Sequence, residues 1–146
     1  MNRSRLLISA LLGAAALVLS GCGSTAERDL EGIRFQTESG FNTNGEIAWI
    51  TEHPVRWEMT TMNSEYTAVI NAPCNTLTAP VSVTSDKITI DAGRMISTEI
   101  GCFEPEASMD AWVSSFIGQP IDYTWDGETL AMASELGNLT FVRAAD

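Results

Sequence analysis

Ile121-Asp122-Tyr123-Thr124-Trp125-Asp126-Gly127-Glu128-Thr129-Leu130-Ala131-Met132-Ala133-Ser134-Glu135-Leu136-Gly137-Asn138-Leu139-Thr140-Phe141 decides the fold class of this chain. Large apolar residues take alternate positions: Ile121, Tyr123 and Trp125, then Leu130 and Met132, then Leu139 and Phe141. A period of two turns one face of a strand inward and leaves the other in water. Between these runs stand Asp126-Gly127 and Gly137-Asn138, pairs that accept the positive φ of a tight hairpin. Three strands joined in this way form an antiparallel meander.

The same alternation recurs upstream. Val81 and Val83 are followed across Ser85-Asp86 by Ile88 and Ile90, and Val55, Trp57 and Met59 form an earlier run. Residues 40–45, rich in Asn and Gly, read as a loop, and His53-Pro54 marks another break. One segment departs from the period. Over residues 105–117, Met109, Trp112, Val113 and Phe116 fall three and four apart, the stripe of an amphipathic helix. Pro105 suits a first helical turn, and Glu104, Glu106 and Asp110 favour the positive end of the helix dipole. Gly118 and Pro120 supply the stop. The aromatic stripe reads as core packing rather than as a ligand wall. The chain is thus mainly β with one packed helix.

The N-terminus carries an address. Arg3 and Arg5 precede an apolar run from Leu6 to Leu19 that is shorter than the roughly 20 residues a bilayer-spanning helix needs. A basic start, a short apolar middle and small residues at Ser20-Gly21 are the marks of a cleaved secretory signal. Leu19-Ser20-Gly21-Cys22 resembles the lipobox of bacterial lipoproteins. That resemblance implies removal of residues 1–21, a diacylglycerol thioether on Cys22 and acylation of its new amine. An ordinary signal with an incidental cysteine is the alternative reading. A single acyl chain holds a protein only reversibly, at about 0.8 kcal/mol per buried methylene, so two or three chains on Cys22 are what stable anchoring requires. Residues 22–31 are expected to be the lipidated cysteine and a flexible tether, with Ser24 to Leu30 solvated and outside the fold. Residues 32–146 would form one domain.

Charge excludes some partners. The 8 Lys and Arg residues face 19 Asp and Glu, for a net charge of −11. Loss of Arg3 and Arg5 with the signal leaves six basic and 19 acidic residues, or −13. Such a surface is unsuited to nucleic acid or to a polybasic grip on anionic lipid. The membrane is expected to hold the chain through acyl groups alone, with the domain outside the cytoplasm.

Cys74 and Cys102 remain once Cys22 is lipidated. An exported domain oxidises readily, so the two are expected to form a disulfide. A metal site is the weaker reading, because there is no Cys-x-x-Cys and the lone histidine, His53, sits beside a proline.

Asn71-Ala72-Pro73-Cys74-Asn75 is similar to the Gly-Cys-Asn segment of the META domain (HslJ-like) family. Ser97-Thr98-Glu99-Ile100-Gly101-Cys102 resembles that family's Thr-x-Met-(Ala/Gly)-Cys. The pair at Val81 to Ile90, the acidic helix, Tyr123-x-x-Asp126-Gly127-x-x-Leu130 and Leu139-x-Phe141 follow in the family's order. Pro73 and Ile100 depart from the pattern, and Ile33-Arg34-Phe35 stands where a Trp followed by an aliphatic residue is usual. The resemblance implies a curved antiparallel sheet or small β-barrel with one helix packed on it, and an envelope or stress-tolerance role without an established catalytic site.

No cofactor is expected beyond the lipid on Cys22. A Ser-His-Asp triad would have to use His53, and no Gly-x-Ser-x-Gly accompanies it. No pair of carboxylates is singled out for hydrolysis. Two binding readings remain for what is expected to be a monomer. In one, the sheet face or an edge docks an envelope protein; in the other, the curved sheet encloses an apolar ligand near Trp49, Trp57 or Trp125. Core filling is the plainer role for those three indoles.

Overall fold

The structure is a computed structural model and describes residues 25–145; the signal segment and Cys22 lie outside the described residues. In chain order the elements are α1 (Thr25–Leu30), β1 (Arg34–Asn42), β2 (Gly45–Glu46), a 3-10 turn (Ala48–Thr51), β3 (Arg56–Met62) and β4 (Glu65–Asn71). Then come β5 (Thr76–Val83), β6 (Lys87–Ile90), a second 3-10 turn (Ala92–Arg94), β7 (Ile96–Ser97) and α2 (Glu106–Ile117). The chain ends with β8 (Ile121–Trp125), β9 (Thr129–Ser134) and β10 (Gly137–Arg143).

All strand pairings are antiparallel, in the order β1-β3-β4-β5-β6-β8-β9-β10, and β10 returns to β1. The result is an eight-stranded up-and-down barrel, with β2 and β7 as two-residue additions. The meander of β8, β9 and β10 is the one read from residues 121–141. An eight-stranded barrel is just wide enough for side chains to fill it. The alternating residues do so: Trp57, Met59, Val81, Val83, Ile88, Ile90, Ile121, Tyr123, Leu130, Met132, Leu139 and Phe141 are all buried in one cluster. Trp57 lies edge-on to Phe141, with ring centroids 6.3 Å apart. The Trp57 indole N–H has no hydrogen-bond partner, a cost of about 1–3 kcal/mol that burial of its ring offsets.

β1 explains why the first strand is hard to read. Its register against β10 slips between Thr37 and Ser39, a β-bulge at Glu38. The extra residue reverses the phase, so Phe35 and Thr37 point inward, and beyond the bulge it is Gly40 that is buried. Thr37 is buried without being apolar because Val55 satisfies it. The Val55 N–H donates to Thr37 Oγ1 at 2.9 Å, and the Thr37 N–H donates to the Val55 carbonyl at 2.9 Å.

The expected solvated tether over Ser24 to Leu30 is corrected by α1. Thr25–Leu30 is helical, and Leu30 is fully buried in the barrel core. Burying a leucine side chain contributes about 1.5–3 kcal/mol, which outweighs a tether's freedom at that residue. The Tyr66 hydroxyl donates to the Glu27 carbonyl at 2.7 Å and ties α1 to the start of β4.

The opposite end of β4 meets α2, one residue shorter than the expected helix because Pro105 is its N-cap. Met109, Val113 and Phe116 are buried as the stripe implies, and Ile117 joins them. Trp112, half-buried, stacks on Phe116 at 5.3 Å and meets Trp49 edge-on at 6.0 Å. Ile50, in the same 3-10 turn as Trp49, reaches to within 3.0 Å of where a Gly40 Cβ would stand. One end of the barrel is therefore closed around α1, and the other around α2 and the first 3-10 turn.

Candidate functional site

The excursion between β6 and β8 carries the most organised polar cluster among the described residues. Cys74 and Cys102 are joined in a disulfide with Cα atoms 6.2 Å apart, tying the β4–β5 turn to the chain ahead of α2. Asp110, one turn into α2, accepts from the backbone N–H groups of Cys74 and Asn75, each at 2.9 Å. The Asn75 side-chain amide donates to Asp110 Oδ2 at 2.9 Å and lies 3.0 Å from Cys102 Sγ. Its carbonyl oxygen accepts from Thr98 Oγ1 at 2.9 Å and from the Ile100 N–H at 3.0 Å. Thr98 Oγ1 in turn accepts from the Thr76 N–H at 3.0 Å. Asn75 is thus a hub that ties the β4–β5 turn to residues 98–102 and to α2. The donor atoms of Cys74, Cys102 and Asp110 lie within 4.8 Å of one another. Both sulfurs are committed to the disulfide, so the thiolates a metal would bind are not on offer.

This latch presents a loop. β7 pairs with β5 through Thr78↔Ile96 and Leu77↔Ser97, and from there to Pro105 the chain runs along the surface. Ile96 is 72% exposed, Ile100 59% and Phe103 87%. In the sequence this stretch stands out only as a cysteine motif. Its three large apolar residues, Ile96, Ile100 and Phe103, fall four and three apart, the spacing of a helix face, yet β7 takes Ile96 and residues 98–103 are irregular.

An open groove of about 700 Å³ lies where β4 and β5 part beyond Thr67↔Pro80. Glu27, Glu65, Tyr66, Asp91 and Arg94 line it. Its charges face one another: both Arg94 guanidinium nitrogens donate to the Glu65 carboxylate at 2.6 Å. That pairing holds the Glu65 carboxyl below its ordinary range. Burial pushes the Tyr66 phenol up, with the charges of Glu31 and Glu27 adding to the shift. A phenol held protonated on a helix carbonyl is a brace. The groove holds its parts in structural pairs.

The sequence candidates are placed as follows. Cys74 and Cys102 come together, and Cys22 lies outside the described residues. His53 is half-buried in a shallow pocket with Glu52, Pro54, Arg56, Asn71, Ala72 and Pro73, none of which is a serine, threonine or cysteine. Trp57 fills the barrel, while Trp49 packs on Trp112. Trp125 stands edge-on to Phe35 at 5.2 Å, with the Arg143 guanidinium 5.2 Å from its ring centre. All three indoles pack against protein, and the interior that an apolar ligand would occupy is taken by side chains. Among the described residues no helix is long and apolar enough to cross a membrane.

A family model described as the META domain matches residues 29–146. An NMR structure of a protein from Burkholderia xenovorans is similar with a TM-score of 0.65 and 14% identity, over 95% of this chain and all of that one. A second NMR structure is similar with a TM-score of 0.61 and 14% identity, over 82% of this chain and 96% of that one. At that identity the likeness is one of fold. No curated protein matches the chain.

Proposed function

This chain belongs to the META domain family, and from that premise we propose that it is a lipid-anchored protein of the bacterial envelope whose barrel is a binding module without catalysis, serving envelope stress tolerance. The observation that carries the reading is Leu19-Ser20-Gly21-Cys22, which lies three residues ahead of the first described helix. Three Cα–Cα steps span at most about 11 Å, so acyl chains on Cys22 would hold the α1 end of the barrel close to the bilayer. The Cys74–Cys102 disulfide suits an oxidising compartment outside the cytoplasm. A barrel whose inward positions are filled by apolar side chains works through its outer surface and loops.

The test is fractionation of cells that express the full chain. The native protein is expected in the membrane fraction, and a Cys22→Ala variant is expected to keep its signal or to leave the membrane. Equal membrane retention and equal processing of the two would end the lipid-anchor reading.

A further inference from the structure

The loop that leads into α2 exposes large apolar residues and is followed along the chain by acidic ones. Phe103, Ile96 and Ile100 are 87%, 72% and 59% exposed within eight consecutive residues. Scattered exposed hydrophobics need no explanation, but three on one short loop make a patch. The loop is also pre-set. The disulfide fixes Cys102, Asn75 holds the Ile100 N–H and the Thr98 hydroxyl, and β7 holds Ile96. A surface held in one conformation pays little ordering entropy on binding.

The charge within and after the loop is of one sign, and the cation just before it, Arg94, is paired with Glu65. Glu99, Glu104 and Glu106 flank the apolar residues, and Asp110 stands one turn further on. From Arg94 to Arg143 the chain contains no Lys or Arg, whereas it carries eight acidic residues. A second copy of this chain would bring the same negative rim against itself, and anionic lipid would be repelled in the same way. Position agrees with a protein partner. α1 is tied to the start of β4 and the loop to the turn that follows β4, so the two lie at opposite ends of the barrel.

We propose that the Ile96–Ile100–Phe103 loop is a docking surface for a protein segment that combines Lys or Arg with large apolar side chains. Phe103 is the anchor, inserted between apolar residues of the partner, and the flanking glutamates meet the partner's cations. This deepens the binding-module reading and rests on it, but does not depend on lipidation.

The test uses the mature chain with its disulfide intact and two probes: an amphipathic peptide of Leu and Lys, and its counterpart with Glu in place of every Lys. Amide and methyl NMR signals report where each binds. The Lys peptide is expected to shift Ile96, Ile100 and Phe103 and to weaken with salt, while the Glu peptide leaves them unmoved. Phe103→Ser is expected to weaken binding about tenfold or more, as truncation of an anchor does, with an unchanged melting curve. Glu99→Gln combined with Glu104→Gln should remove most of the salt dependence. Shifts confined to other surfaces, equal binding of both peptides, or no binding would overturn the proposal. So would a dimer in sedimentation that Phe103→Ser dissolves, or Phe103-dependent binding to phosphatidylcholine vesicles. None of these outcomes bears on the Cys22→Ala fractionation, so the two readings fail separately.

Discussion

Gly137 sits in the turn from β9 to β10 with φ near 145°, where a Cβ would collide with the carbonyl oxygen of Phe41. Neither the backbone angle nor the neighbour, itself main chain, can yield easily. Gly137→Ala is therefore expected to cost roughly 2–4 kcal/mol in urea unfolding. Gly40→Ala should be milder, because its nearest obstacle is the mobile end of Leu139. Tyr66 gives a pH signature. Its phenol is pushed up from an ordinary value of 10, first by burial and then by nearby carboxylates. The fold thus favours the protonated form, so this contribution is whole below pH 10 and lost as pH rises past it. Tyr123, bonded to the Thr84 carbonyl at 2.7 Å, is shifted the same way by burial and adds to the loss. Tyr66→Phe is expected to lower stability at pH 7 by about 1 kcal/mol and to soften its alkaline decline. An unchanged alkaline profile would show that Tyr66 ionises freely.

Among the elements, the Asn75–Asp110–disulfide latch separates loop order from barrel order. The bridged cysteines are 28 residues apart, a closure contributing about 3–4 kcal/mol in the chain-entropy model. Cys74→Ala with Cys102→Ala is expected to lose about that much. Amide exchange should then quicken over residues 96–104 far more than in β8, β9 and β10. Uniform quickening would mean that the latch holds the whole barrel. How legible each element was depended on whether one period ran through it. β8, β9, β10 and α2 keep theirs, and most of their buried residues were readable one by one, Ile117 being the exception. β1 does not, because the bulge at Glu38 reverses its phase and a hydrogen-bonded Thr37 takes an inward position. α1 gave no sign, since five polar and small residues precede its one buried anchor, Leu30, and the bond from Tyr66 to the helix is a tertiary one. The hub role of Asn75 was also hidden, because its partners, in residues 98–102 and at Asp110, lie more than twenty residues away in the chain.

On the scale of the whole molecule, closure of β1 on β10 turns a meander into a barrel without open edges and brings residues 35–41 against residues 138–143. Alternation along single strands cannot distinguish a curved sheet from a closed one, since both bury the same face. The family resemblance carried the barrel as an option, and pairing of the first strand with the last decides it. The barrel then has a polarity: α1, three residues past Cys22, at one end, and the acidic-rimmed apolar loop at the other. That layout suits a module held to a bilayer by one end and read by a partner at the other. The anchored half of that layout depends on the cysteine at the start. The most direct measurement is the intact mass of the protein extracted from membranes of a bacterium producing the full chain. The expected mass is that of residues 22–146, disulfide-bonded and carrying a diacylglycerol thioether and an acylated amine on Cys22. A chain that begins elsewhere, or one that begins at an unmodified Cys22, would contradict the anchor.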